Sequence, residues 1–413
     1  MAEQLPPDRY KDAGTKRSDT SGNVADFRYK RSRQHSQPPG QQHGRGNGHG
    51  GDGGKRTCDS AKSELVARTR GTGHSGPDAY AALDLGTNNC RLLIARPSGR
   101  DFTVIDAFSR VVKLGEDLAT TGRLSDDAMD RTLRALQICA DKLRRRKVRL
   151  ARSVATEACR RAANGPAFIE RVREQTGIAL DVISAEEEAR LAVLGCHILL
   201  EEGEGPALIF DIGGGSTELV LVEPGGKIPR IVDWQSVPWG VVSLTDTIAH
   251  GEGDRPDRLS TYARMRDVVS TSFAPFAERI ARASQRGDIR LLGTSGTVTT
   301  LASLYLELPQ YDRKAVDGLI VPASAMRDIS ASLSAMSPAQ RSELPCIGQD
   351  RADLVVAGCA ILESIIDLWP AQRLGVADRG IREGILRSLM AAERHSERSL
   401  RALNAMRGGP GGS

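Results

Sequence analysis

No run of about 18 apolar residues occurs anywhere in this 413-residue sequence, so no segment suits a membrane-crossing helix. Cysteine is sparse and scattered. Seven residues, at 58, 90, 139, 159, 196, 346 and 359, are odd in number and form no CxxC pair. That excludes a disulfide framework and a structural zinc site and fits a reducing cytoplasm. The opening MAEQLPPDRY lacks the apolar core of a secretory signal, so a cytoplasmic location is expected. Residues 1–77 lack apolar runs as well and are crowded with Gly, Arg, Gln, His and Ser. Such a segment buries too little surface to offset the entropy of ordering, and a disordered tail is expected there.

Charge divides the chain at the same place. Residues 1–77 hold 14 Lys+Arg against 8 Asp+Glu, a net of +6, which leaves 43 against 44, a net of −1, for the rest. The sequence pI near 8.9 is therefore a property of the tail. A basic, flexible arm has the charge to touch nucleic acid or another polyanion. A solubilising tail with no fixed partner explains the same composition more simply.

The remaining length allows two domains. From Tyr80, AALDLG reads as a short strand, RLLIARP returns after a Gly-containing turn, and FTVIDAFSRVVKLG completes a three-strand meander. SDDAMDRTLRALQICADKLRRR then shows helical spacing (Met129, Leu133, Leu136, Ile138, Leu143) behind a Ser125 cap. LARSVATEA is a strand, residues 167–177 a helix, LDVISA a strand and EEEARLAVLGCHILLE a helix, before a break at Gly203–Pro206. Strand and helix in alternation imply an α/β fold.

After the break the pattern restarts with ALIFDIGGGSTELVLVEPGG. Asp84 and Asp211 coincide, as do Gly86 and Gly213, and Leu92-Leu93-Ile94 falls on Leu219-Val220-Leu221. An acid at a strand end, a Gly-containing turn and a returning apolar strand thus occur twice in register. This is a duplicated domain rather than a short-period repeat. The expected divisions are a tail over 1–77, domains over 78–203 and 204–395, and a flexible end over 396–413.

Both turns suit phosphate. In DIGGGSTE, Gly213, Gly214 and Gly215 let backbone N–H groups approach an anion, and Ser216 and Thr217 add hydroxyls. In DLGTNNCR, Gly86 opens a turn in which Thr87, Asn88 and Asn89 supply donors and Arg91 a positive charge. A third loop, LLGTSGTVTTLAS, sets Gly293, Thr294, Ser295, Gly296 and Thr297 before a helix whose amide end favours anions. Asp84 and Asp211, one from each half, suit Mg²⁺, which takes carboxylates, water and phosphate oxygens, and Glu218 joins that acidic set. The run Glu186-Glu187-Glu188 opens a helix, where carboxylates are also favoured by the helix dipole alone.

Together the blocks ALDLGTNNCRLLIA, VATEACRRAANG, VISAEEEARLAVLG, LIFDIGGGSTELVLV, SVPWGVVSLTD, LLGTSGTVTTLAS and ADRGIREGIL resemble the exopolyphosphatase and guanosine pentaphosphate phosphatase family, from about Ala81 to Met390. The resemblance implies two duplicated actin-like domains of the ribonuclease H-like class, within the sugar kinase, heat-shock chaperone and actin superfamily, around an interdomain cleft. It places the catalytic glutamate directly before Ala-Arg, at Glu188, as general base on water, and gives Asp84 and Asp211 roles in metal binding and catalysis. Arg160 falls on an arginine position lining the phosphate channel. The sequence departs from the family pattern at Thr87-Asn88-Asn89, at Ala185, and at Ser243, where an arginine is usual. It also stops where long members add a helical domain, which leaves the oligomeric state open, a homodimer among the options.

The implied activity is Mg²⁺-dependent release of the terminal phosphate of inorganic polyphosphate, of pppGpp, or of both. A small-molecule kinase or ATPase of the same fold would need an adenosine pocket, for which no late Gly-Gly signal is found. A non-catalytic polyanion sensor would not need Asp84, Glu188 and Asp211 intact.

Overall fold

The computed structural model describes residues 78–407 apart from 100, 227, 249–256 and 285–287. The expected N-terminal arm, and the nucleic-acid contact suggested for it, lie outside the described residues. Strands β1 (Ala79–Leu85), β2 (Asn89–Ser98) and β3 (Asp101–Val111) form the expected meander. Strands β4 (Val148–Ala155) and β5 (Leu180–Val182) extend it in parallel, giving the order β3-β2-β1-β4-β5. The near-continuous apolar run of β1 is buried along almost its whole length, as a central strand requires, whereas β3 at the edge is largely exposed.

The second sheet comprises β6 (Ala207–Ile212), β7 (Thr217–Glu223), β8 (Arg230–Val237), β9 (Arg290–Thr294), β10 (Ile320–Pro322) and β11 (Arg373–Ala377). Its order is β10-β11-β9-β6-β7-β8. β6, β7 and β8 repeat the meander, and β9 and β11 run parallel as β4 and β5 do, with β10 an added antiparallel edge. The duplication read from two turns therefore covers the topology of both sheets, and the lobes are the actin-like α/β pair.

Helix Asp126–Arg145 begins where Ser125 Oγ accepts from the Ala128 amide at 3.3 Å. It buries Met129, Leu133 and Leu136 on the first sheet, while Ile138 and Leu143 stay partly exposed. Two further helices lie between the sheets. Helix Ala185–Cys196 sets Ala189, Val193 and Cys196 against Ile209, Val220 and Leu292 of the second sheet. Its Leu191 and Ala192 join a cluster with Tyr80, Ala82 and Leu93 of the first.

Helix Ile381–Arg407 completes that cluster with Ile385, Leu386 and Met390. The chain's final helix thus returns to the first lobe, and it runs through the boundary expected at 395/396 as far as Arg407. The two helices meet closely. A Cβ on Gly195 would stand 1.9 Å from Gly380 O, and one on Gly384 would stand 2.0 Å from Leu191 O.

Candidate active site

The two aspartate-led turns have one geometry. Gly86 N donates to Asn89 O at 2.9 Å, and Gly213 N donates to Ser216 O at 2.9 Å. Each turn is then held from behind by its carbonyls. Gly115 N donates to Thr87 O, and Val241 N and Val242 N donate to Gly213 O and Gly214 O. Ser243, where the resemblance leads one to expect arginine, is buried and donates its hydroxyl to Gly215 O at 2.9 Å. With carbonyls pinned behind, the amides of Thr87, Asn88, Gly214 and Gly215 donate to no protein group among the described residues and remain available to an anion.

A cavity of about 150 Å³ lies where these turns face each other. Of the residues singled out in sequence, Asp84, Gly86, Thr87, Asn88, Asn89 and Arg91 line it from the first lobe. Asp211, Gly213, Gly214, Gly215, Ser216 and Glu218 line it from the second, joined by Ser295, Gly296 and Thr297 at the start of helix Gly296–Tyr305. Glu188 reaches it from helix Ala185–Cys196.

Four expected phosphate ligands do not line it. Arg160 is turned instead to Ile183 O at 2.8 Å and to Glu188 at 3.2 Å, so it reaches the cavity only through that carboxylate. Thr217 is fully buried and donates to Trp239 O at 2.7 Å. Gly293 sits in β9, where a Cβ would meet the Phe210 ring at 2.7 Å, so its lack of a side chain serves packing. Thr294 donates to Arg379 O at 2.7 Å and lines a second, neighbouring cavity.

The three glutamates at the start of helix Ala185–Cys196 separate by helical geometry. Glu186 faces solvent, and Glu187 is paired with Arg152 at 2.7 Å and Arg190 at 2.6 Å. Glu188 is buried, with Oε2 accepting from Arg160 Nη1 at 3.2 Å. Arg160 itself is fixed by donating to Ile183 O at 2.8 Å. Burial, and then the nearby Glu218 carboxylate, push the Glu188 carboxyl well above the usual range, while Arg160 opposes them.

The aspartates are perturbed too. Burial, with Glu218 and Asp84 beside it, pushes Asp211 up to about 8, and burial raises Asp84 against the pull of Arg91 and Arg382. Glu218 is also raised by burial, and its Oε1 accepts from Ser216 Oγ at 2.7 Å and Ser236 Oγ at 2.8 Å.

Among the described residues no three Asp, Glu, His or Cys side chains form a ready-made metal cage. Mg²⁺ seldom uses one, taking one or two carboxylates with water and substrate phosphate oxygens. The donor set fits that habit. Asp84 Oδ1 is buried with no hydrogen-bond partner among the described residues, and Asp211 and Glu218 are direct cross-strand neighbours, Glu218 helping to raise Asp211.

Two charged residues that sequence reasoning did not select line the cavity. Glu157, at the head of helix Glu157–Arg161, is buried and accepts from Thr87 Oγ1 at 3.2 Å. Arg351 stands over the start of helix Gly296–Tyr305, with Nη1 3.3 Å from Thr300 Oγ1. Burial and then Arg91 lower its affinity for its proton, and among the described residues neither guanidinium group has a carboxylate within ion-pair distance. The sequence signal for both was slight. Each stands among other charged residues, Glu157 with Arg160 and Arg161 in VATEACRRA and Arg351 between Asp350 and Asp353 in GQDRADLVVAG, with no spacing that marks it out.

Residues 93–393 match the model of the Ppx/GppA phosphatase family. The exopolyphosphatase 2 of Mycobacterium tuberculosis is 30% identical over 323 residues, covering 75% of this chain and 98% of that protein. A crystal structure of the Aquifex aeolicus member of the Ppx/GppA family is 29% identical, covers 76% of this chain and 98% of its own, and superposes with a TM-score of 0.62. An exopolyphosphatase structure from Cytophaga hutchinsonii, 24% identical over the same 76% and 98%, shares the fold with a TM-score of 0.68.

Proposed function

The chain belongs to the Ppx/GppA phosphatase family, and from that premise we propose that it hydrolyses the terminal phosphoanhydride of inorganic polyphosphate. The observation that carries this reading is the placement of buried Glu188 on a cavity walled by two turns with unpartnered amides. The terminal phosphoryl group sits between the turns, its nonbridging oxygens taking the free amides, the start of helix Gly296–Tyr305, Arg91 and Arg351.

Water attacks the terminal phosphorus, the bridging P–O bond breaks, and the shortened chain leaves with that oxygen. Glu188 takes the water's proton, and Arg160 aims the carboxylate and favours its ionised form against burial. Asp84, Asp211 and Glu218 are the residues that would hold Mg²⁺, which supplies charge neutralisation on phosphate oxygens. Burial raises all three carboxyls, so a bound cation would displace protons from them.

Both polyphosphate and pppGpp present a terminal phosphoanhydride. The cavity's inventory of amides and guanidinium groups, with no aromatic side chain on its wall to stack a base, favours the purely inorganic chain. The test is phosphate release from polyphosphate, pppGpp and ATP, measured side by side with and without Mg²⁺. Fastest release from polyphosphate is expected. Release from ATP alone, or phosphoryl transfer to an acceptor, overturns the reading.

A further inference from the structure

Behind the first cavity lies a second, of about 50 Å³. Asp84, Arg91, Asp211, Ser295 and Ile381 line both, so these side chains form the partition between them. The remaining wall is Thr294, Ala377 and the turn Asp378-Arg379-Gly380 with Arg382, a turn to which the hydrolytic reading gives no task. Its volume is several times the roughly 10–15 Å³ that one water needs. Gly380 keeps it open, for a Cβ there would stand 3.3 Å from Thr294 Oγ1 and 3.9 Å from Asp211 Oδ2.

The charges on this wall are unevenly matched. Asp378 is paired with Arg313 at 3.1 Å, and Arg379 with Asp317 at 2.7 Å. Glu383, in the first turn of helix Ile381–Arg407, is occupied by Arg313 at 2.9 Å and by the Gly380 amide at 3.0 Å. Among the described residues Arg91 and Arg382 have no carboxylate within ion-pair distance. Two helices of 10 and 27 residues, Gly296–Tyr305 and Ile381–Arg407, also begin at this wall, each bringing the positive end of its dipole. Two unmatched guanidinium groups and two helix starts around one small cavity are the surroundings of an oxyanion.

We propose that the second cavity binds one orthophosphate ion, the product of the hydrolysis proposed above, after it passes the Asp84–Arg91–Asp211 partition. Its size, a third of the first cavity's, suits a single tetrahedral ion rather than a chain. Hydrolysis leaves the new dianion beside acidic side chains, and the arginine and helix ends on the far side supply the attraction that draws it off. The shortened polyphosphate keeps the first cavity, so product and remaining chain do not compete for one exit.

Calorimetric titration of the full chain with inorganic orthophosphate is expected to give two ions bound per chain, and one in Arg382→Gln. In steady-state assays with polyphosphate, orthophosphate should inhibit the parent chain with a noncompetitive component. Arg382→Gln should weaken that component on the order of tenfold, while the initial rate at low product stays within about twofold, tenfold corresponding to the loss of one charged contact. Gly380→Ala, which fills the cavity without removing a charge, should act in the same direction if Arg382→Gln folds poorly. A stoichiometry of one in the parent chain overturns the proposal. So does a rise of KM for polyphosphate in step with the loss of orthophosphate inhibition, because the cavity would then belong to the substrate chain. If the chain releases no phosphate from polyphosphate, a fall from two ions to one in the calorimetry still upholds the oxyanion site and removes only the substrate reading.

Discussion

Arg91 and Glu218 occupy the same register position in the two copies of the duplicated hairpin, each across the strand pair from the aspartate, and they carry opposite charge. Arg91 draws Asp84 toward its ionised form, whereas Glu218 drives Asp211 toward its protonated form. Duplication supplied the scaffold, and this one exchanged position divides the labour. In the proposed function the first lobe offers a cation to phosphate oxygens, and the second a carboxylate pair to Mg²⁺.

Proton release on metal binding follows from that pairing. With its carboxyl pushed up to about 8, Asp211 carries a proton at pH 7 before the cation arrives. Because the folded value lies above that of the unfolded chain, this group lowers stability as pH rises from about 4 to about 8, by at most about 1.4 kcal/mol per pH unit. Metal-free protein should therefore melt at lower temperature at pH 8 than at pH 6, and Asp211→Asn should flatten that slope. Mg²⁺ titration at pH 7 should release protons from the parent chain and fewer from Asp211→Asn. Identical proton release in both would remove Asp211 from the metal site.

Glu188→Gln keeps the shape of the side chain and removes the base. Turnover should fall on the order of 10²–10⁴-fold with KM changed little. Glu187→Gln breaks only the partly exposed pairs with Arg152 and Arg190 and should leave turnover nearly intact. Phosphate-release kinetics on the two variants decide the matter, and a crippling Glu187→Gln with a mild Glu188→Gln would move the base to the neighbouring position.

How much of this was legible in the sequence depends on range. The aspartate-led turns are local, set by strand alternation, whereas Glu188 was singled out from its neighbours by the family resemblance rather than by spacing, and the structure brings Asp84, Asp211 and Glu188 to one cavity. Period two also separates Ser216 and Glu218, on the cavity, from Thr217, which turns the other way to Trp239. Reading all hydroxyls of a Gly-rich motif as phosphate ligands overlooked that alternation. Arg351 and the return of helix Ile381–Arg407 to the first lobe were not legible. An apolar stripe says which face is buried but not against which sheet, and Arg351 reaches the cavity only through packing of distant segments.

The pH profile of turnover tests Arg160. Glu188 works ionised, so activity should fall as pH drops through its raised pKa. Arg160 is the group that lowers that value against burial and Glu218. Arg160→Gln should therefore shift the acid limb of kcat to higher pH, and Arg160→Lys should restore part of the shift. A loss of kcat with an unmoved limb would mean that Arg160 acts on the phosphate alone.

Across the cleft, a Cβ on Gly215 would fall 2.0 Å from Glu157 Oε2 and 2.7 Å from Thr87 Oγ1. Gly215→Ala must displace the buried Glu157 carboxylate or part the two turns, and a misplacement of about 1 Å costs on the order of 10²-fold in rate. Glu157→Ala removes the obstacle, so the double variant should recover part of the loss made by Gly215→Ala. Strictly additive losses would show that the two residues do not meet.

Gly384 presents a harder case, because its neighbour cannot step aside. A Cβ there stands 2.0 Å from the Leu191 carbonyl oxygen, which belongs to a helix backbone packed against both lobes. Side-chain repacking gives no relief, so Gly384→Ala must push helix Ile381–Arg407 away from helix Ala185–Cys196. Overpacking of this kind costs about 1–3 kcal/mol. The same displacement would shift Glu188 and the Asp378–Arg382 turn, which ride on those two helices, so activity should fall together with the melting temperature. Gly195→Ala, which meets Gly380 O at 1.9 Å, should reproduce both losses from the opposite helix. Thermal unfolding and polyphosphate turnover measured on each variant are sufficient. Parent-like values for both quantities would mean that the helices are not packed at the separation described.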